Sequence, residues 1–242
     1  MSSLISLSGP SHPPADGQPA RALVILLHGL GADGNDLIGL APVWTPHLPH
    51  VEFVSPNAPY PCDMAPFGRQ WFSLQDRSPE TILGGVQAAW PILDAYIDEQ
   101  LERTGLAPSQ LALVGFSQGT MMSLYVAPRR SETIAGVVGY SGTLIGADSL
   151  AEDAISRPPI TLVHGTADDV VPVERLPAAE QALNAAGFEV TTTTCPGLGH
   201  SIDQTGLQVG LEFLHRVLPG SGAKTVARFP VWHSQHRDLD PS

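Results

Sequence analysis

The chain of 242 residues is 43% hydrophobic, long enough for one sizeable α/β domain and too apolar for a disordered polymer. A formal net charge of −12, with Lys224 the sole lysine, excludes the basic footprint that nucleic acid or an anionic membrane surface requires. Two cysteines, Cys62 and Cys195, make neither a metal-type cluster nor a disulfide framework, and both are expected as ordinary thiols.

In chain order, the first residues, MSSLISLSGPSHPPADG, lack the basic start and apolar run of a signal peptide, and no stretch approaches the ~20 apolar residues of a membrane span. The expectation is a soluble cytoplasmic protein. Leu4–Leu7 reads as a weak strand, and Ala22–Leu27 as a strong one. The strong run ends at His28 and enters LHGLGADG, in which Gly29, Gly31 and Gly34 spell G-x-G-x-x-G. Such glycines serve a dinucleotide when a long helix and then an acidic strand end follow. Here Pro42 and Pro46 interrupt the next helical segment, and the strand Val51–Ser55 runs into Pro56-Asn57. The glycines are therefore expected to shape a loop whose backbone N–H groups approach a reacting carbonyl, with His28 helping to hold its form.

Residues 56–77 form a long connection carrying Tyr60, Met64, Phe67, Trp71 and Phe72, and connections of this length are often functional. The expectation is a wall of an apolar substrate pocket, with Trp71 lining it; the plainer alternative tucks the same aromatics into the edge of the core. Ser78-Pro79 caps the clearest helix, whose apolar positions Ile82, Val86, Trp90, Leu93 and Ile97 recur at three- and four-residue spacing. Pro91 within it is expected to kink the helix.

Leu111–Val114 is the next strand, followed by Gly115-Phe116-Ser117-Gln118-Gly119 and a helix over Gln118–Ala127. G-x-S-x-G between strand and helix describes a nucleophile elbow, which lifts one serine hydroxyl above the C-terminal edge of a sheet. A serine needs a base, and the base an orienting carboxylate, in the chain order Ser, acid, His, each past a later strand. Strands at Ile134–Tyr140, Ile160–Val163 and Val190–Thr194 supply those positions. The second is followed by Asp168 and Asp169 in ITLVHGTADDVVP, the third by His200 in TTTTCPGLGHS. Of the histidines after the acid, His215 lies in an amphipathic helix, and His233 and His236 lie in the tail, which leaves His200 as the base; His164 is expected to support the acid loop.

Helices are predicted at Glu174–Ala186 and Ile202–Val217. Strands without polar alternation, separated by helices, predict an α/β fold with a mostly parallel sheet covered on both faces. Residues 141–159 are too few for a large cap domain. The expected layout is one domain over 1–218 and a tail, flexible or draped on the surface, over 219–242. GSGAKT in that tail imitates a phosphate loop but has Ala223 before Lys224 and follows a helix, so it is set aside.

LLHGLGADGND, GFSQG, HGTADDVVP and GLGHS together resemble the carboxylesterase, lysophospholipase and acyl-protein thioesterase family of α/β hydrolases, over roughly residues 20–218. The resemblance implies an α/β-hydrolase fold with Ser117 as nucleophile, His200 as base and Asp168, the first of the aspartate pair, as acid. It also implies the N–H groups of Leu30 and Gln118 as oxyanion donors, and no cofactor or metal. The implied activity is a serine carboxylesterase for short- to medium-chain acyl esters, with lysophospholipids or acyl-protein thioesters as the alternative. Leu144 and Ile145 join Trp71 as expected acyl walls. The chain departs from the family pattern at Trp71-Phe72-Ser73, where relatives often carry an aromatic-acidic pair after the tryptophan. Expected partners are a small-molecule ester and, at most, a second copy in a homodimer, with no nucleic acid and no stable membrane insertion.

Overall fold

The computed structural model describes residues 5–220. Strands β1 (Ser11–His12), β2 (Ala22–Leu27), β3 (Val51–Val54), β6 (Leu111–Phe116), β7 (Gly136–Tyr140), β8 (Ile160–Gly165) and β9 (Val190–Cys195) form one seven-stranded sheet. Their order is β1-β3-β2-β6-β7-β8-β9, and every pairing is parallel except β1 on β3. This is the mostly parallel sheet of an α/β-hydrolase fold. The two remaining strands, β4 (Tyr60–Pro61) and β5 (Arg69–Gln70), make a separate antiparallel pair.

Both faces of the sheet are covered, which explains why its strands read as continuous apolar runs. In β2, Leu23, Ile25 and Leu27 point into one core and Ala22, Val24 and Leu26 into the other. The first core is closed by α3 (Pro79–Thr104), α4 (Gln118–Arg129) and α6 (Arg175–Ala185). The second is closed by the one-turn helices α1 (Gly34–Leu37) and α2 (Ala41–Trp44) together with α7 (Gln204–Val217). A further one-turn helix, α5 (Leu150–Asp153), lies in the β7–β8 connection, which is thus too slight to form a cap.

Two expectations are corrected. Residues 5–7 form no strand, although Leu7 is buried in the core; Leu4 lies outside the described residues. The edge strand falls instead at Ser11–His12, because residues 8–10 are held against the end of β3 by Ser55 N–H to Pro10 O (2.9 Å) and Asn57 N–H to Ser8 O (2.9 Å). The 56–77 connection is not free of regular structure, since it contains the β4–β5 hairpin. Pro91 lies inside α3, which continues past it to span 26 residues. Pro91 and Gln87 both lie on its exposed side, so the carbonyl that loses its N–H partner can face water.

Beyond Gly220 the chain, with most of the expected tail, lies outside the described residues. Among the described residues, no helix is long and apolar enough to cross a membrane, and Cys62 and Cys195 are both buried free thiols.

Candidate active site

The β6–α4 junction is a tight elbow. Ser117 has φ 53° and ψ −113°, and it is one of two non-glycine residues with positive φ among the described residues. Such a conformation is strained for a residue with a Cβ and points to a functional constraint. The flanking glycines are steric requirements. A Cβ on Gly115 would lie 2.4 Å from the amide nitrogen of Thr120, and one on Gly119 would lie 1.8 Å from the carbonyl oxygen of Leu27. Ser117 N–H donates to Tyr140 O (2.9 Å), which ties the elbow to the end of β7.

Two strands further along the sheet, β8 delivers Asp168, and β9 delivers His200. His200 Nδ1 lies 2.8 Å from Asp168 Oδ2. The imidazole also packs on Phe116, the residue before Ser117, with ring centroids 4.8 Å apart. Serine, carboxylate and imidazole therefore converge on one edge of the sheet from positions 117, 168 and 200. Asp169 is exposed, so the first aspartate of the pair is the one engaged with His200.

The Asp168 carboxylate is held from several sides. Oδ1 accepts the backbone N–H groups of Val170 (2.9 Å) and Val171 (2.8 Å). Burial works against its charge, but the bonds from His200, Val171 and Val170 outweigh burial and keep its pKa below the ordinary carboxylate range. His164 Nε2 donates to Val171 O (2.8 Å) and sits 3.3 Å from Asp168 Oδ2, so it braces the acid loop as expected.

The glycine loop after β2 closes against the elbow. A Cβ on Gly29 would meet Phe116 Cδ1 at 3.2 Å and Ser117 Cβ at 3.4 Å, so backbone there approaches the serine closely. The helical run after these glycines is divided into α1, a 3-10 turn at Ile38–Leu40 and α2, and is not the single long helix a dinucleotide site would use. Leu30 is half-buried in this loop, and Gln118 is the first residue of α4. The loop is pinned from outside by β5, through Gly31 N–H to Arg69 O (2.9 Å) and Arg69 N–H to Ala32 O (2.8 Å). The Arg69 guanidinium in turn donates to Ala58 O (2.8 Å) and Pro59 O (2.9 Å). Arg69 was not anticipated; an arginine among the apolar residues of 56–72 was the available signal.

His28 is wholly buried. Its Nε2 accepts Ala58 N–H (3.0 Å), which leaves Nδ1 to donate to Gly29 O (2.7 Å). Burial dominates, lowering its pKa from the ordinary 6.5 to about 4. The unfolded chain binds this proton more readily, so the stability is full above pH 6.5 and is lost as pH falls toward 4, a loss of about 3 kcal/mol. Urea unfolding at pH 7 and 4.5 should show this loss, and His28→Gln, which cannot take a charge, should show a shallower slope. His50 and His215, also lowered mainly by burial, titrate in both proteins, so the difference isolates His28. Identical slopes would contradict it.

Trp71 departs from the expectation of a pocket wall. Its side chain is 0% exposed, and Nε1 donates to His28 O (3.0 Å), so it offers no surface to a ligand. The long loop places it inward because an indole can fill the core edge while its single N–H is satisfied by backbone. Leu144 and Ile145 are half-buried beside the first core, and Met64 and Phe67 are exposed on the hairpin.

Comparison with known proteins agrees with this geometry. A family profile described as phospholipase/carboxylesterase matches residues 14–218. Esterase YpfH of Escherichia coli (strain K12) is 31% identical over 202 residues, covering 84% of this chain and 85% of that protein. Acyl-protein thioesterase 1 of Gibberella zeae is 28% identical over 217 residues, covering 82% of this chain and 91% of its own. The crystal structure of esterase PE8 superposes with a TM-score of 0.85 at 40% identity, covering 88% of this chain and all of that one.

Proposed function

The chain belongs to the phospholipase/carboxylesterase family of α/β hydrolases, and from that premise we propose that it is a serine carboxylesterase hydrolysing short- to medium-chain acyl esters. The observation that carries the proposal is the 2.8 Å His200–Asp168 bond set beside the strained elbow of Ser117.

In this mechanism Ser117 Oγ attacks the ester carbonyl carbon while His200 Nε2 takes its proton. Asp168 holds Nδ1–H, fixes the tautomer and stabilises the imidazolium. The N–H groups of Leu30 and Gln118 bind the developing oxyanion; the second opens α4, where the helix dipole favours negative charge. Collapse of the tetrahedral intermediate breaks the bond to the alcohol, which leaves with the proton from His200. Water then attacks the acyl-enzyme with His200 again as base, releasing the acid and restoring Ser117.

Leu144, half-buried four residues past the end of β7, is assigned to the acyl wall in place of Trp71. The slight β7–β8 connection places no cap domain over the site. The same machinery cleaves thioesters and lysophospholipids, and the likeness to a thioesterase keeps that second reading in view. A cytoplasmic location belongs to the proposal, supported by two free thiols. The deciding experiment is a panel of C2 to C16 p-nitrophenyl esters beside a long-chain thioester and a lysophospholipid, with fluorophosphonate labelling. Highest kcat/KM at C8 or below supports the carboxylesterase; a thioester preferred over every ester would replace it with the second reading.

A further inference from the structure

Two oxyanion donors must sit at the right separation, about 2.7–3.1 Å from one oxygen. Here they belong to segments far apart in sequence, around positions 30 and 118, so something must fix the gap between them. A chain of buried hydrogen bonds joins the two. The Gln118 side chain accepts Trp71 N–H at Oε1 (2.8 Å) and donates from Nε2 to Phe72 O (2.8 Å). The Trp71 indole donates to His28 O (3.0 Å), two residues before Leu30. His28 then donates to Gly29 O (2.7 Å) and accepts Ala58 N–H (3.0 Å). His28, Trp71 and Gln118 are each 0% exposed, so water cannot substitute for any link.

We infer that Trp71 is a positioning residue which, clasped at its backbone by the Gln118 amide and clasping the His28 carbonyl with its indole, sets the spacing of the Leu30 and Gln118 N–H donors. This rests on the esterase mechanism proposed above. Trp71 touches no substrate; it acts by holding two backbone segments at one separation. Displacing a catalytic group by about 1 Å can cost about 10²-fold in rate.

Two variants break the bridge differently. Trp71→Phe keeps the ring and deletes the indole N–H, and Gln118→Met keeps the backbone N–H and deletes both amide bonds. Each is measured on C2, C4, C6 and C8 p-nitrophenyl esters, with kcat counted per site titrated by a fluorophosphonate. Inhibition by an alkyl trifluoromethyl ketone, whose tetrahedral adduct carries an oxyanion, is measured alongside. The expected result is a fall in kcat of about 10- to 100-fold with KM changed less than about threefold. That factor is expected to be the same at every chain length, with inhibitor affinity weakened in parallel. The double variant should lose less than the product of the single losses, because each breaks the same bridge at a different link.

A lowered melting temperature with kcat per site retained would make Trp71 packing alone and overturn the inference. A loss that grows with acyl length would make it a pocket wall and do the same. If Trp71→Phe fails to fold, Gln118→Met decides the matter. A wild-type protein that hydrolyses none of these esters and takes no probe overturns the esterase mechanism itself, and this inference with it.

Discussion

Ser117→Ala should yield a folded protein whose kcat on p-nitrophenyl esters is lower by up to about 10⁶, the scale seen when one member of such a unit is removed in subtilisin. The fold should survive because the elbow is built from backbone and glycines. Ser117 N–H still donates to Tyr140 O, and Met121 N–H still reaches the carbonyl of residue 117. Alanine bears the same Cβ as serine at φ 53°, so the strain is unchanged. What disappears is the oxygen that forms the acyl-enzyme in the proposed mechanism. Circular dichroism and the melting temperature check the first half, and steady-state kinetics with fluorophosphonate labelling check the second. A well-folded Ser117→Ala protein with substantial activity would refute the mechanism.

Asp168→Asn should lower kcat by roughly 10⁴, the loss recorded for the matching change in chymotrypsin-type triads, whereas Asp169→Asn should stay within about twofold. In the first variant the amide oxygen can keep accepting the N–H groups of Val170 and Val171, so the new NH₂ group is turned toward His200. Two donors then face each other unless His200 moves its proton to Nε2. In that tautomer the imidazole can no longer accept from Ser117. Asp169 is exposed and in a position to do none of this. Comparing kcat of the two variants at neutral pH tests the assignment, and the reverse order would transfer the acid role to Asp169.

Much of this protein was legible residue by residue. Ala22–Leu27 is a strand with the expected bounds, and Ser78 caps α3 as its position before Pro79 implies. G-x-S-x-G was readable because the need for glycine at Gly115 and Gly119 comes from a turn a few residues long. The hairpin was not: β4 and β5 are two residues each, too short for any periodicity, and the close approach of Gly68 to Gly31, where a Cβ would lie 2.0 Å from the Gly31 carbonyl oxygen, joins segments far apart in sequence. Arg69 and the Gln118 amide escaped notice for a related reason. Their work is done by hydrogen bonds to backbone, which are open to many polar side chains and leave no characteristic spacing in the sequence.

The sequence by itself determined the order of the main strands and helices, the α/β class and the three strand-end loops that carry Ser117, Asp168 and His200. Those features follow from local sterics and from the burial of apolar runs, which short windows of residues encode. Only the tertiary structure decided where Trp71 sits. Its two bonds run to residues 47 and 43 positions away. An aromatic side chain in a long loop is equally consistent with an open pocket and with a closed brace. Which of the two it becomes depends on whether a carbonyl such as that of His28 is waiting inside, and that is a property of packing between distant segments.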